Sequence, residues 1–299
     1  SIIKFVEIEY GKQSIEYIKA LGDLVYQMSY SNTSANNDIE NFTTKLHKEI
    51  IETKIDNINA SEDIGLLYTI AQSYLALGYT TEHDSIFKYR LEIIKNMYGE
   101  KHPFYITELC NVLTNNYTYD LDKNIIAAKQ LEEKYLQDTI NYQTSIHKHI
   151  LHSQSDLYHK KNDYIKAIEV LNRSIDISKM QGDTLSIPYI DELQSIAVLY
   201  NESGFIKKYI ETTDLILDLK KYLLGENSYA YQTEYLSKLN LLSSIRPNDA
   251  LIELLNIIDS NVSTDYFMLY TITANTYNSL GDYDNAEKYI DICFNSAVR

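Results

Sequence analysis

Residues 151–193 read LHSQSDLYHKKNDYIKAIEVLNRSIDISKMQGDTLSIPYIDEL. The leucines at the two ends are 42 residues apart, and the same step recurs along the chain. Leu67, Leu109, Leu151, Leu193 and Tyr235 stand at equal 42-residue intervals; Leu21 precedes them by 46 and Tyr270 follows by 35. A constant period in this range marks stacked supersecondary units, each unable to bury its apolar face alone. Within the quoted stretch, Leu151, Ser155 and Tyr158 share one ridge of a helix, at i, i+4 and i+7. Asn162-Asp163-Tyr164 makes a turn, and Ala167, Leu171 and Ser174 face inward from a second helix.

The same pattern appears on either side. From Leu67 the chain gives Ala71, Tyr74 and Gly78, then Phe87 in a second helix. From Leu193 it gives Ala197, Tyr200 and Gly204, then Ile216. The last repeat, YTITANTYNSLGDYDNAEKYIDIC (270–293), has small residues at Ala274 and Ala286, so two antiparallel helices can approach closely. Tyr277 fills the space between them, and Gly281-Asp282 ends the first helix, where a left-handed residue suits glycine. Point for point this resembles the tetratricopeptide repeat. The period of 42 and the linkers GKQSIEY (11–17), GEKHPFY (99–105), GENSYAY (225–231) and GDTLSIPY (182–189) are similar to the kinesin light chain type, whose linkers read G-x-x-H-P. Only GEKHP matches that linker in full.

The fold expected is therefore all-α: a right-handed α-solenoid of about seven antiparallel helix pairs in one continuous domain, residues 1–299. The pairs fall at roughly 11–57, 58–98, 99–137, 138–181, 182–224, 225–259 and 260–299. Repeats three and six are degenerate. Asn116 replaces the usual aromatic in one, and Lys238-Leu239 replace the apolar and small pair in the other. The first repeat carries Gly22 and a polar insert, SNTSANN (31–37), which reads as a loop. The last helix keeps Ile290, Phe294 and Val298 with no capping helix after it, so a piece of a longer protein is expected.

Composition narrows the function. A formal net charge of -15 opposes nucleic-acid binding, which needs a basic stripe. No run of about 18 apolar residues offers a membrane span. Cys110 and Cys293 are two isolated cysteines inside helices, which reads as buried thiols in a reducing, cytoplasmic setting. There is no glycine-rich phosphate loop, no nucleophile elbow and no zinc-protease motif, so no catalysis and no cofactor are expected.

The resemblance implies that the first helices line a concave face, with positions two, five, nine and twelve pointing into it. In repeat three these are Thr107, Cys110, Thr114 and Tyr117; in repeat four His149, His152, Asp156 and His159. Repeat five offers Asp191, Gln194, Val198 and Asn201, and repeat six Thr233, Leu236, Asn240 and Ser243. Repeat seven offers Met268, Thr271, Asn275 and Asn278. The candidate partner-binding set is His149, His152, Asp156, His159, Gln194, Asn201, Asn240, Thr271, Asn275 and Asn278. Amides both donate and accept, so they suit the backbone of an extended peptide. His149, His152 and Asp156 also have a helical spacing that three zinc ligands would need, but ordinary polar contact is the preferred reading.

The function expected is a scaffold binding a protein or peptide partner. The resemblance adds two specific forms, and the histidine stripe a third. The array is the recruiting or sensing arm of a bacterial effector such as a caspase-like CHAT peptidase or a sensor kinase. Alternatively, it is the repeat domain of a bacterial peptide-pheromone receptor, or a metal-dependent enzyme built on the histidine stripe.

Overall fold

The computed structural model describes residues 2–11, 60–76, 78–115, 120–137, 143–260 and 266–297, with isolated positions between 17 and 45. Leu21, Gly22, the 31–37 insert, Asn116, Tyr117 and most of the first repeat lie outside the described residues. Every regular element among those described is an α-helix. In chain order these are α1 (Ile2–Tyr10), α2 (Ala60–Ala76), α3 (Thr80–Tyr98), α4 (Pro103–Asn115), α5 (Leu121–Gln137), α6 (Thr144–Lys160) and α7 (Tyr164–Met180). They continue as α8 (Ile187–Glu202), α9 (Ile206–Leu224), α10 (Tyr229–Ile245), α11 (Pro247–Ser260), α12 (Tyr266–Ser279) and α13 (Tyr283–Ala297). The chain is an all-α solenoid of consecutive helix pairs, as the ladder requires. It divides into two compact units, Ser1–Asp163 and Tyr164–Arg299.

The turns inside the pairs repeat in atomic detail. The main-chain N–H of Tyr79, Asp163, Phe205 and Asp282 donates to the carbonyl of Tyr74, Tyr158, Tyr200 and Tyr277, at 2.9, 2.9, 2.8 and 3.0 Å. This six-to-one bond needs a left-handed residue just before the donor. Gly78, Gly204 and Gly281 supply it at φ of 82°, 77° and 78°, and Asn162 supplies it at 61°. Asparagine tolerates that region better than other side-chain-bearing residues. The linkers repeat too. Gly99 and Gly225 cap the preceding helices through bonds to Lys95 and Lys221. Ser186 and Ser228 then cap α8 and α10 by accepting from Tyr189 and Tyr231.

In the first compact unit, α2 packs on α3, α3 on α4, and α4 on both α5 and α6. Leu67, Ile70, Ala71, Tyr74, Phe87 and Leu91 form one buried cluster. Ile106, Cys110, Tyr135 and Ile150 form a second, joining α4, α5 and α6. In the second unit, each helix from α7 to α13 packs on the next, and α10 also packs on α12. Leu236, Leu239, Leu254, Leu269 and Ile272 are the centre of its cluster from α10 to α12.

The joints between repeats are polar. A glutamate precedes the ladder residue in three repeats, and each one is received by the helix before it. Arg90 of α3 pairs with buried Glu108 of α4, while its Nε donates to the Ile64 carbonyl at 2.9 Å. Ser174 and Ser178 of α7 donate to Glu192 of α8 at 3.3 and 2.7 Å. Lys220 of α9 meets Glu234 of α10 at 2.8 Å, and Gln194 of α8 donates to the same carboxylate oxygen at 2.7 Å. Buried carboxylates are tolerated only when paired and hydrogen-bonded, which explains why each has a dedicated donor.

Candidate functional site

The polar stripe of repeat four is built by α6. His149 and His152 are half-buried, Asp156 is exposed and His159 half-buried. The main chain at Thr107 of α4 lies against the His149 ring, so the neighbouring first helices meet along this stripe. Burial pushes the His149 ring below its ordinary 6.5, against smaller opposing effects from Thr107 and Asp156. Its Nε2 is buried with no hydrogen-bond partner among the described residues. Asp156 is open to water in area yet closely ringed by protein atoms. That desolvation raises its carboxyl above 3.8, although His152, Lys160, His159 and His149 all pull the other way.

Other sequence-selected residues fall into two groups. Asn201, Asn240, Asn275 and Asn278 are exposed, as a contact surface requires. Gln194 and Thr271 are occupied internally. The Gln194 amide is bonded to Glu234, and the Thr271 hydroxyl donates to the Phe267 carbonyl at 2.7 Å and lies 3.5 Å from Cys293 Sγ. Two positions expected to line the groove do not: Cys110 is 1% and Leu236 0% exposed. The Cys110 thiol, pushed up to about 12 by burial, remains protonated; Ser153 donates to its main-chain carbonyl at 3.4 Å. Helix packing turned these two apolar side chains inward, where burial favours them. No three His, Cys, Asp or Glu side chains come together to hold a metal ion among the described residues. No described helix is long and apolar enough to cross a membrane.

Two clefts in corresponding places of repeats three and six were not anticipated. One, of about 450 Å³, opens between α4 and α5, with Tyr105, Leu109 and Leu131 on its floor and Lys101 and Lys134 at its rim. The other, of about 400 Å³, opens between α10 and α11, with Tyr231, Tyr235 and Ile257. The signal that points to them is the degeneracy of repeats three and six. Leu113 stands in α4 where other first helices carry Ala71, Ser155, Ala197 and Ala274. A bulky residue at that position holds the paired helix away.

With the repeat geometry in place, comparison with known proteins agrees with it. The tetratricopeptide repeat family model matches residues 149–179 and 269–294. The chain carries tetratricopeptide repeats. No curated relative matches the sequence. Among solved structures, the chain is similar to nearly identical TPR-like repeats of a Podosopora anserina protein described as a kinesin light chain. That match has 10% identity and a TM-score of 0.50, over 69% of this chain and 95% of the other. It is similar to aspartyl phosphate phosphatase F of Bacillus subtilis, at 12% identity and a TM-score of 0.54, over 94% of this chain and 69% of that one. It also resembles a Signal Transduction ATPase with Numerous Domains protein with a tetratricopeptide repeat sensor, from Pyrococcus horikoshii. Here identity is 14% and the TM-score 0.56, over 98% of this chain and 46% of the other. These likenesses are likenesses of fold.

Proposed function

We propose that the array is a non-catalytic interaction module whose first helices receive a peptide or a partner's surface. The observation that carries this reading is exposed Asp156 within a stripe of half-buried histidines on α6. Its ligand brings a cation or a pair of N–H groups to Asp156. Within the second unit, the exposed asparagines of α8, α10 and α12 suit main-chain amides. The net charge of -15 favours neutral or cationic partners over nucleic acid.

The Pyrococcus neighbour, in which such an array is named as a sensor and is covered only in part by this chain, supports a second, finer reading. In it the array is the sensing arm of a longer, cytoplasmic effector. Selection of random twelve-residue peptides on the purified chain tests the first reading. Enriched peptides should lose binding to an Asp156→Ala, His152→Ala variant or to an Asn240→Ala, Asn275→Ala, Asn278→Ala variant, each with unchanged melting. Enriched peptides indifferent to both variants would end the proposal.

A further inference from the structure

The cleft between α10 and α11 carries charge of one sign. Its charged lining is Glu226 at the rim and Glu253 on the second helix, with no lysine, arginine or histidine among the described residues that line it. Tyr231 and Tyr235 form its aromatic wall, their rings stacked with centroids 6.1 Å apart. Tyr231, Tyr235 and Glu253 are all half-buried. The Tyr235 hydroxyl donates to one oxygen of Glu253, and the other oxygen holds no hydrogen bond among the described residues. Glu226 pairs with Lys221 at 2.9 Å on the exposed edge, whereas Glu253 has no ion-pair partner among the described residues. Burial pushes the Tyr235 hydroxyl well above its ordinary value, and Glu253 and Glu226 push it the same way. Burial raises Tyr231 too, with Glu226 adding to the effect and Lys221 opposing it. The corresponding cleft of repeat three is the opposite case. At a spacing of 126 residues, Lys101 stands there for Asn227, Leu109 for Tyr235 and Ala127 for Glu253, and Lys134 lines it as well.

We propose that the repeat-six cleft binds an arginine side chain of a partner protein, with the guanidinium seated between Glu253 and the ring faces of Tyr231 and Tyr235. The occupant follows from charge complementarity. A half-buried carboxylate with one open oxygen, beside two tyrosine rings and without a cation of its own, calls for a cation. A guanidinium is planar, so it can stack on a ring and donate to a carboxylate at the same time, which a lysine ammonium cannot match. The half-buried setting makes the attraction stronger than it is for a pair in open water. The volume of about 400 Å³ admits the side chain, with its aliphatic stem against Ile257. The stripe of α6 belongs to the other compact unit and lines no part of this cleft, so the two readings stand or fall separately.

The test uses the full chain with N-acetyl-arginine amide as probe, and the neutral isostere N-acetyl-citrulline amide and N-acetyl-lysine amide as controls. The readout is the methyl signal of labelled Ile257, which lines the cleft. The arginine probe should shift it saturably, the lysine control several-fold more weakly, and the citrulline control about tenfold more weakly or less. The methyls of Leu131, in the repeat-three cleft with its two lysines, should stay still. Glu253→Gln removes the charge while its amide oxygen can still accept from Tyr235, and should weaken arginine binding about tenfold. Tyr231→Leu removes one ring and should weaken it several-fold. Should Glu253→Gln lose its fold by circular dichroism, Asn256→Lys sets a cation one turn from Glu253, at an exposed position of α11, and must also reduce binding. Citrulline or lysine binding as tightly as arginine, shifts at Leu131 as large as those at Ile257, or undiminished binding to the folded variants would overturn the proposal.

Discussion

The joint between repeats two and three and the joint between repeats five and six start from the same register, and they solve the same problem with different chemistry. In both, a glutamate one residue before the ladder position enters the space against the preceding helix. Glu108 meets Arg90, whose guanidinium is itself buried, brought down to about 10 by desolvation, and lies over the Tyr68 ring at 5.4 Å. Glu234 meets Lys220 in a more open setting, with side chains 10% and 14% exposed, and has Gln194 as a second donor. The intermediate joint, at Glu192, relies on hydroxyls from Ser174 and Ser178. The period fixes where a buried carboxylate enters; the preceding helix is free to change what receives it.

Removing the receiving group should separate these joints. Arg90→Ala strands Glu108 in a site with little water, and should cost about 3–5 kcal/mol, the range for breaking a buried pair. A urea-unfolding midpoint that barely moves would show that the pair contributes nothing net. Lys220→Met leaves Glu234 with the Gln194 bond and some solvent, so a loss of about 1–3 kcal/mol is expected. If it equals the Arg90→Ala loss, the contrast between closed and open joints fails.

The turns allow a finer comparison. Gly204 and Asn162 hold equivalent positions in successive repeats, at φ of 77° and 61°. Nothing lies within 4 Å of a Cβ built on Gly204, so a substitution there meets only backbone strain. Gly204→Ala should cost about 1–2 kcal/mol, and Gly204→Asn clearly less. Equal losses on thermal melting would show that asparagine has no advantage in this turn.

The smallest effect is one of pH. Burial sets the folded-state His149 below the unfolded value of 6.5, so the unfolded chain takes up its proton first as pH falls. The stability difference is absent well above pH 6.5, grows as pH drops through that value and levels off below the folded one. Melting followed over this window should fall less steeply in His149→Asn than in the parent chain. Parallel curves would remove the burial argument for that histidine.

The period and residue pattern by themselves determined the helix pairs, their turns and the place of the linkers. These follow from local rules: apolar residues at helical spacing, glycine where φ is positive, serine or proline at a helix start. The exposed asparagines of α8, α10 and α12 were legible for the same reason, since a helix face is set by spacing alone. The glutamates at the joints carried a readable signal, recurrence before Leu109, Leu193 and Tyr235, but their donors come from another helix. Only the tertiary structure decided that Cys110 and Leu236 turn inward, that Gln194 is taken up by Glu234, and that repeats three and six leave clefts. Each of these depends on the gap between two helices, and that gap is set by side-chain volumes on both sides at once.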